Sequence, residues 1–255
     1  MNIFPLFSKK KFPQFAEYSD IGKQETNQDS MAHFITKDWF LLVVADGLGG
    51  HEAGEIAAQL ITKTIIKQTK KYQKELYNNP EEAYKTILNK AVTMVTAKLA
   101  KQKLKAHTTV ASLFLDLKQS RFMSAHIGDS RIYHFKNHHI LWRSRDHSVI
   151  QMLLDDNEIT EAEMGQHPEQ GILTRSISAK KKALICFSDF KPLKKGEGLL
   201  LCTDGYWENL PVNQVSCFIS IKKGDLSKKL IQCIQQAKQN DENKCDNITV
   251  QVILV

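Results

Sequence analysis

Four aspartates stand out because each sits beside a glycine or asparagine where an apolar strand pattern ends. They are Asp46 in VVADGLGGH, Asp129 in AHIGDSRIY, Asp204 in LLCTDGYWE and Asp246 in CDNITV. An aspartate at a strand end can point out of the sheet at a common edge, and a small neighbour lets backbone and ion approach closely. Carboxylates converging from distant segments suit Mg²⁺ or Mn²⁺, hard cations that take oxygen ligands and keep several waters. Asp-Gly and Asp-Asn are also ordinary turn formers, which would account for any one of the four taken alone. Four apolar strands ending in this way point instead to a shared rim.

The cysteines offer no competing chemistry. Cys186, Cys202, Cys217, Cys233 and Cys245 are scattered, with no CxxC and no compact Cys/His cluster. Neither a disulfide scaffold nor a structural zinc site is indicated. No cysteine lies in a glycine-rich phosphate loop, so a cysteinyl-phosphate route has no candidate nucleophile.

The elements that would hold the aspartates follow from hydrophobic period. Phe40 to Ala45 is a continuous apolar run stopped by Asp-Gly, which suits a buried strand. Ala53, Ile56, Ala57, Leu60, Ile61, Thr64 and Ile65 then recur at helical spacing, with a lysine-rich outer face. Pro80 suits a first helical turn, and Ala83, Ile87, Ala91, Val95 and Leu99 continue a second amphipathic helix. From Thr108 the period becomes two, through TTVASLFLDL, RFMSAHIG, RIYHF and HHILWRS, which predicts successive antiparallel strands. The polar stretch from about 148 to 175 joins no obvious sheet and reads as a flap or lid insert. Strands resume at ALICFSDF and GLLLCTDG, a last helix runs around Leu226 to Ala237, and NITVQVILV closes the chain.

With 255 residues the chain can build a sizeable core, and 42% apolar with 25% charged residues is ordinary for a globular protein. Strands before and after the helices share one pattern and no long linker divides them, so a single domain over 1–255 is expected, with a short basic extension over about 1–14. That extension has an apolar patch too short for a membrane span and its lysines on the wrong side for a secretory signal. A cytoplasmic location without stable membrane insertion is expected. The formal charge of +7 raises nucleic acid as a partner. The excess is mostly lysine on helix faces, with few arginines and no aromatic interleaving, so a solvated face is the better account and a nuclease is disfavoured.

DGLGGHEAGEIAA, GDSRIY, LCTDGYWENL and DNITVQVI, with RDHS and LTRSIS between them, resemble the motifs of the metal-dependent protein phosphatases of the 2C (PPM) type, in the short bacterial form. The resemblance runs from about Tyr18 to Val252. It implies an α+β fold, a central antiparallel β-sandwich flanked by helix pairs on both sides. It also implies a Mg²⁺ or Mn²⁺ centre of two ions, with a third in some relatives. By that analogy Asp46 bridges both ions, the Gly47 carbonyl adds a ligand, Asp204 and Asp246 hold one ion, Asp129 serves the third, and Asp29 binds metal-ligated water. Asp46, Asp204 and Asp246 are then the catalytic set. The implied reaction is hydrolysis of phosphoserine and phosphothreonine in proteins phosphorylated by a cognate kinase, through a bridging hydroxide, since phosphoryl transfer rests on charge neutralisation and positioning.

Three departures from the family pattern matter. Gln24, in GKQETNQD, stands where an arginine usually grips the substrate phosphate; Lys23 offers only a point charge there. Gln28 replaces a frequent glutamate, and Ser178 replaces the glycine that usually ends the LTR turn. His51 follows the glycine pair and is either an acid or an orienting group; Leu48 stands where some relatives carry a proposed acid. His147 reads as a hydrogen-bonded structural group, His107 as a site-edge residue, and Arg131 as orienting Asp129 or pairing elsewhere. Tyr206 and Trp207 read as packing beside the site. The missing arginine leaves one alternative open, a phosphoprotein-binding or metal-sensing module with little turnover.

Overall fold

The computed structural model describes residues 12–49, 52–180, 183–211, 214–215, 225–240 and 245–255. The chain opens with β1 (Gln14–Asp20), β2 (Ser30–Ile35), β3 (Trp39–Ala45) and the short β4 (Gly47–Leu48). Helices α1 (Glu52–Lys71), α2 (Gln73–Asn78) and α3 (Pro80–Lys101) follow. Next come β5 (His107–Thr108), β6 (Val110–Asp116), β7 (Arg121–Ile127), β8 (Arg131–Lys136), β9 (His139–Arg143) and α4 (Val149–Asp155). The remainder is β10 (Ile177–Ser178), β11 (Cys186–Phe187), β12 (Lys191–Pro192), β13 (Glu197–Cys202), α5 (Asp204–Trp207), α6 (Leu226–Asn240) and β14 (Ile248–Leu254).

Two antiparallel sheets face each other. One has the order β1-β14-β13-β8-β9 and the other β11-β7-β6-β3-β2, with β12 also on β7. β3 shows why the apolar run is unbroken rather than alternating. Phe40, Leu42 and Val44 meet Leu113, Ile132, Leu199 and Leu201 between the sheets. Leu41, Val43 and Ala45 point outward into a second core with Ile61, Ile87 and Val92 of the helices. A strand buried on both faces has no use for polar positions. Removing one of these leucines to alanine costs about 2–5 kcal/mol.

The helix pair covers the outer face of β3, β6 and β7. α3 starts with Pro80 in its first turn beside Glu81 and Glu82 and ends with Lys98 and Lys101, so charge complements the helix dipole at both ends. α2, absent from the sequence pattern, is seated by buried Leu76. The outer face of the other sheet is covered, among the described residues, by α6 with the shorter α4 and α5. Leu226, Leu230, Cys233, Ile234 and Ala237 face inward there, as the spacing predicts.

One expected strand breaks up. ALICFSDF gives only the two-residue β11 on β7, and β12 resumes the pairing further on. Between them the Ser188 hydroxyl accepts from the Ser124 N–H at 3.0 Å, taking a ladder position with a side chain, and Pro192 then has no N–H to continue.

Antiparallel order delivers the four aspartates to one end. β3 and β7 both flank β6, so both run the same way and release Asp46 and Asp129 at the same edge. β13 and β14 are antiparallel with Cys202 opposite Val250, so the end of one and the start of the other share an edge. Asp204 follows the first and Asp246 precedes the second.

Candidate metal centre

Asp46 is fixed by a threonine pair on the next loop. The Thr109 hydroxyl accepts from the Asp46 N–H at 2.9 Å, the Thr109 N–H donates back to the Asp46 carbonyl at 2.9 Å, and the Thr108 hydroxyl donates to it at 2.8 Å. The next residue must be glycine: a Cβ on Gly47 would lie 2.1 Å from the Gly54 carbonyl oxygen of α1. The same logic fixes Gly205, where a Cβ would lie 2.4 Å from the Asn247 carbonyl oxygen. Each Asp-Gly pair is therefore a close approach of two chain segments, not a free-standing turn.

Asp46, Asp129 and Asp204 each bring a carboxylate oxygen within 4.8 Å of the others. Asp204 opens α5 and accepts from the Gly205 N–H at 2.8 Å. Asp129 is 3% exposed, its Oδ1 is buried without a hydrogen-bond partner among the described residues, and its carbonyl accepts from the Trp207 indole at 3.1 Å. Asp29 accepts from the Thr203 hydroxyl at 2.7 Å. Asp246 accepts from the Asn247 N–H at 2.7 Å through Oδ1.

Charge at this rim is badly balanced without a cation. Burial, then Asp204, Asp29, Asp129 and Asp246, holds the Asp46 carboxyl well above the usual carboxylate range. Burial and Asp204 do the same to Asp129, and burial pushes Asp29 up against the opposing bonds from Thr203 and Thr249. Asp204 is pushed up to about 6 by burial and by Asp246. Like charges this close, with one oxygen orphaned, fit a hard divalent cation, and the all-oxygen donor set selects Mg²⁺ or Mn²⁺ over zinc.

A second donor cluster does not fit an ion. His126, His147 and Cys186 offer atoms within 4.8 Å of one another. The His126 Nε2–H donates to the Arg145 carbonyl at 2.8 Å, while His147 Nδ1 accepts from the Gly128 N–H and its Nε2 lies 3.2 Å from Arg175 Nη1. The rings stack at 4.7 Å and 6°, so one ion cannot lie in both ring planes. Burial, His126 and the two arginines push His147 down to about 3, which makes it the neutral structural group that its sequence context suggests.

The family model described as protein phosphatase 2C matches residues 17–241. The chain belongs to the protein phosphatase 2C family. A serine/threonine phosphatase stp of Listeria monocytogenes serotype 4b (strain F2365) is 30% identical over 232 residues, 89% of each chain. The Streptococcus agalactiae serine/threonine phosphatase structure superposes with a TM-score of 0.79 at 25% identity, covering 96% of this chain and all of that one. The fold is also that of the catalytic domain of the serine/threonine protein phosphatase PstP, solved in complex with two manganese ions, with a TM-score of 0.72 at 21% identity, over 95% of this chain and 99% of that one.

Asp29 and Asp246 lie close enough to the triangle of Asp46, Asp129 and Asp204 to act on the Asp46 charge. Lys23 and Gln24 sit on an exposed loop at the same end; their backbone N–H groups donate to the Cys245 and Ile21 carbonyls. Gln28 reaches the Gly49 carbonyl through its amide at 3.3 Å, tying the N-terminal loop to the glycine turn. His51 lies outside the described residues, as do Lys9, Lys10 and Lys11. His107 is exposed, 2.9 Å from the Ser176 hydroxyl, and Ser178 pairs with it across β10 and β5.

Arg131 pairs elsewhere than with Asp129. It grips Asp146 at 2.7 Å, with only 3% and 0% of the two side chains exposed, and stacks 3.4 Å over Trp207. Trp207 is thus more than packing, since it links that ion pair to the Asp129 carbonyl. The 148–175 segment is docked through its middle: Met164 is fully buried and Glu161 accepts from Arg143 at 2.7 Å through both oxygens. Nearer the rim the buried Gln170 amide faces Asp204 and lowers its pKa. The roles of Thr203, Thr109, Asn247 and Gln170 are not announced by the sequence, although Thr203 and Asn247 lie within the quoted motifs. Only the threonines' position at strand ends beside the aspartates hints at them.

Proposed function

We propose that the rim formed by Asp46, Asp129, Asp204 and Asp246 is where this chain removes phosphate from phosphoserine and phosphothreonine in proteins. As a member of the protein phosphatase 2C family it is a metal-dependent serine/threonine phosphatase. The observation that supports this placement is the buried triangle of Asp46, Asp129 and Asp204 oxygens within 4.8 Å. Asp46, with the Gly47 carbonyl, Asp204 and Asp246 would hold Mg²⁺ or Mn²⁺; Asp129 would hold a further ion or share these. Held by these residues, the ions would supply positive charge against the phosphate and a more acidic water for its hydrolysis.

The chain's own groups do the rest. The Thr108–Thr109 bonds keep Asp46 in place, and Asp29, held by Thr203, is set to accept from the attacking water. Lys23 offers a positive charge to the incoming phosphate from the exposed loop. The substrates are phosphoproteins made by a serine/threonine kinase in the same compartment, which we place in the cytoplasm. Among the described residues no helix is long and apolar enough to cross a membrane.

The deciding experiment is release of phosphate from p-nitrophenyl phosphate and a phosphothreonine peptide, with Mn²⁺ and with chelator. Release that depends on metal and is abolished by Asp46→Ala or Asp246→Ala bears the proposal out. Manganese binding without turnover on either substrate would replace it with a binding module.

A further inference from the structure

We infer that Asn247 is a positioning residue that fixes the loop of residues 21–28, the approach to the phosphate, against the metal rim. The inference rests on the reading above, in which that loop carries the group that meets the phosphate. Asn247 is 4% exposed, and its amide is fully occupied by this one loop. Its Oδ1 accepts from the Gln28 N–H at 2.7 Å, and its Nδ2 donates to the Ile21 carbonyl at 2.8 Å and the Thr26 carbonyl at 3.1 Å. These partners lie at both ends and near the middle of a segment whose residues 23–26 are exposed and so have little packing of their own.

The backbone around Asn247 adds to the hold. The Lys23 N–H donates to the Cys245 carbonyl at 2.9 Å, and Gly22 sits so close that a Cβ there would lie 2.2 Å from the Asp246 carbonyl oxygen. The turn that presents Asp246 to the rim therefore also sets where Lys23 and Gln24 stand. A phosphate must meet loop and rim together, and the Asn247 amide supplies three of the bonds that set the distance between them. Asn247→Ala removes all three bonds without adding charge near the carboxylates, leaving the loop attached through its backbone contacts and the Asn27 and Gln28 side-chain bonds to the Ser19 hydroxyl and the Gly49 carbonyl. Orientation lost in this way weakens phosphate binding more than it slows the chemical step on phosphate once bound.

Asn247→Ala is compared with the parent chain for KM and kcat on a phosphothreonine peptide, for inhibition by inorganic phosphate, and for Mn²⁺ affinity by calorimetry. The expected result is a KM and a phosphate inhibition constant that rise together, roughly tenfold, with kcat within about threefold and Mn²⁺ affinity unchanged. Asn247→Ser, which keeps a small polar group, serves if the alanine variant does not fold, and an intermediate rise is expected. Weaker Mn²⁺ binding and lower kcat with KM unchanged would overturn the inference and make Asn247 a support of Asp246 alone. Lys23→Ala separates the two layers. If it leaves KM unchanged, the loop reading fails and the inference with it; if it raises KM while Asn247→Ala does not, only the inference fails.

Discussion

Thr203 donates its hydroxyl to the Asp29 carboxylate at 2.7 Å across 174 residues of sequence, and the same oxygen accepts from the Thr249 N–H at 3.0 Å. Thr203 is fully buried and directly follows β13, Thr249 belongs to β14, and Asp29 leads into β2 of the opposite sheet. One hydroxyl therefore spans the two sheets at the end where the aspartates gather. A buried carboxylate with this partner is oriented, and its charged form is partly compensated against burial.

Thr203→Val keeps the shape and deletes that hydroxyl. It takes one hydrogen bond from the buried Asp29 carboxylate and the side-chain acceptor from the Thr249 N–H, a loss of about 1–3 kcal/mol. Urea unfolding should show a lower midpoint by that amount with an unchanged slope. A loss below about 0.5 kcal/mol would show that water replaces the hydroxyl at no cost.

The rim should make the metal-free chain prefer acid. Asp204 is pushed from 3.8 up to about 6, and Asp46, Asp129 and Asp29 are also raised, all by burial first. The folded chain then keeps protons that the unfolded chain releases above pH 4. Stability from these groups is present below the unfolded value and is lost as pH rises through the folded one. In chelator, the melting temperature should fall between about pH 4.5 and pH 7. With saturating Mn²⁺ the trend should reverse, because cation binding needs the carboxylates deprotonated. Thermal melts across that range with and without chelator measure both; a chelated chain that gains stability through the window contradicts the crowding of charge described above.

Much of the frame was legible because it depends on period. The unbroken run of β3, the four-residue steps of α3 and the inward residues of α6 each report burial directly. So do the aspartates at strand ends, since antiparallel order alone brings them to one edge. What the sequence hid is pairing between distant side chains. Nothing near Arg131 announces Asp146 as its partner, nothing marks Asn247 as the holder of a loop more than 200 residues away, and Gln170 looks like any polar residue of a surface insert. The 183–190 stretch misled because its apolar pattern suits a strand, while Ser188 takes one of the two bonds to Ser124 on its side chain.

The Arg131–Asp146 pair should be costly to break and hard to replace. Arg131 gives Nε and Nη2 to Asp146, Nη1 to the Tyr133 hydroxyl at 3.0 Å, and its flat face to Trp207. Arg131→Ala leaves the buried Asp146 carboxylate with only the longer 3.7 Å contact to Arg143, at a cost of about 3 kcal/mol. Arg131→Lys should recover less than half of that, since an ammonium neither forks nor stacks. Circular dichroism melts rank the three chains. A lysine variant as stable as the parent would mean that charge alone, and not planar geometry, satisfies the site.

Gln24→Arg tests how the loop at the rim meets phosphate. The Gln24 side chain is exposed while its N–H donates to the Ile21 carbonyl at 3.3 Å, so a longer side chain fits without repacking. Lys23 beside it presents a single charge, whereas a guanidinium grips two phosphate oxygens with parallel N–H bonds. The gain lies in holding the phosphate, before and during reaction alike, so it should appear in KM and leave kcat nearly unchanged. We expect KM on a phosphothreonine peptide to fall about 3–10-fold, and more at low ionic strength because an exposed charge is screened by salt. Steady-state kinetics at two salt concentrations provide the check. An unchanged or higher KM would mean that residue 24 does not face the phosphate and that the cation the substrate meets comes from elsewhere on the rim.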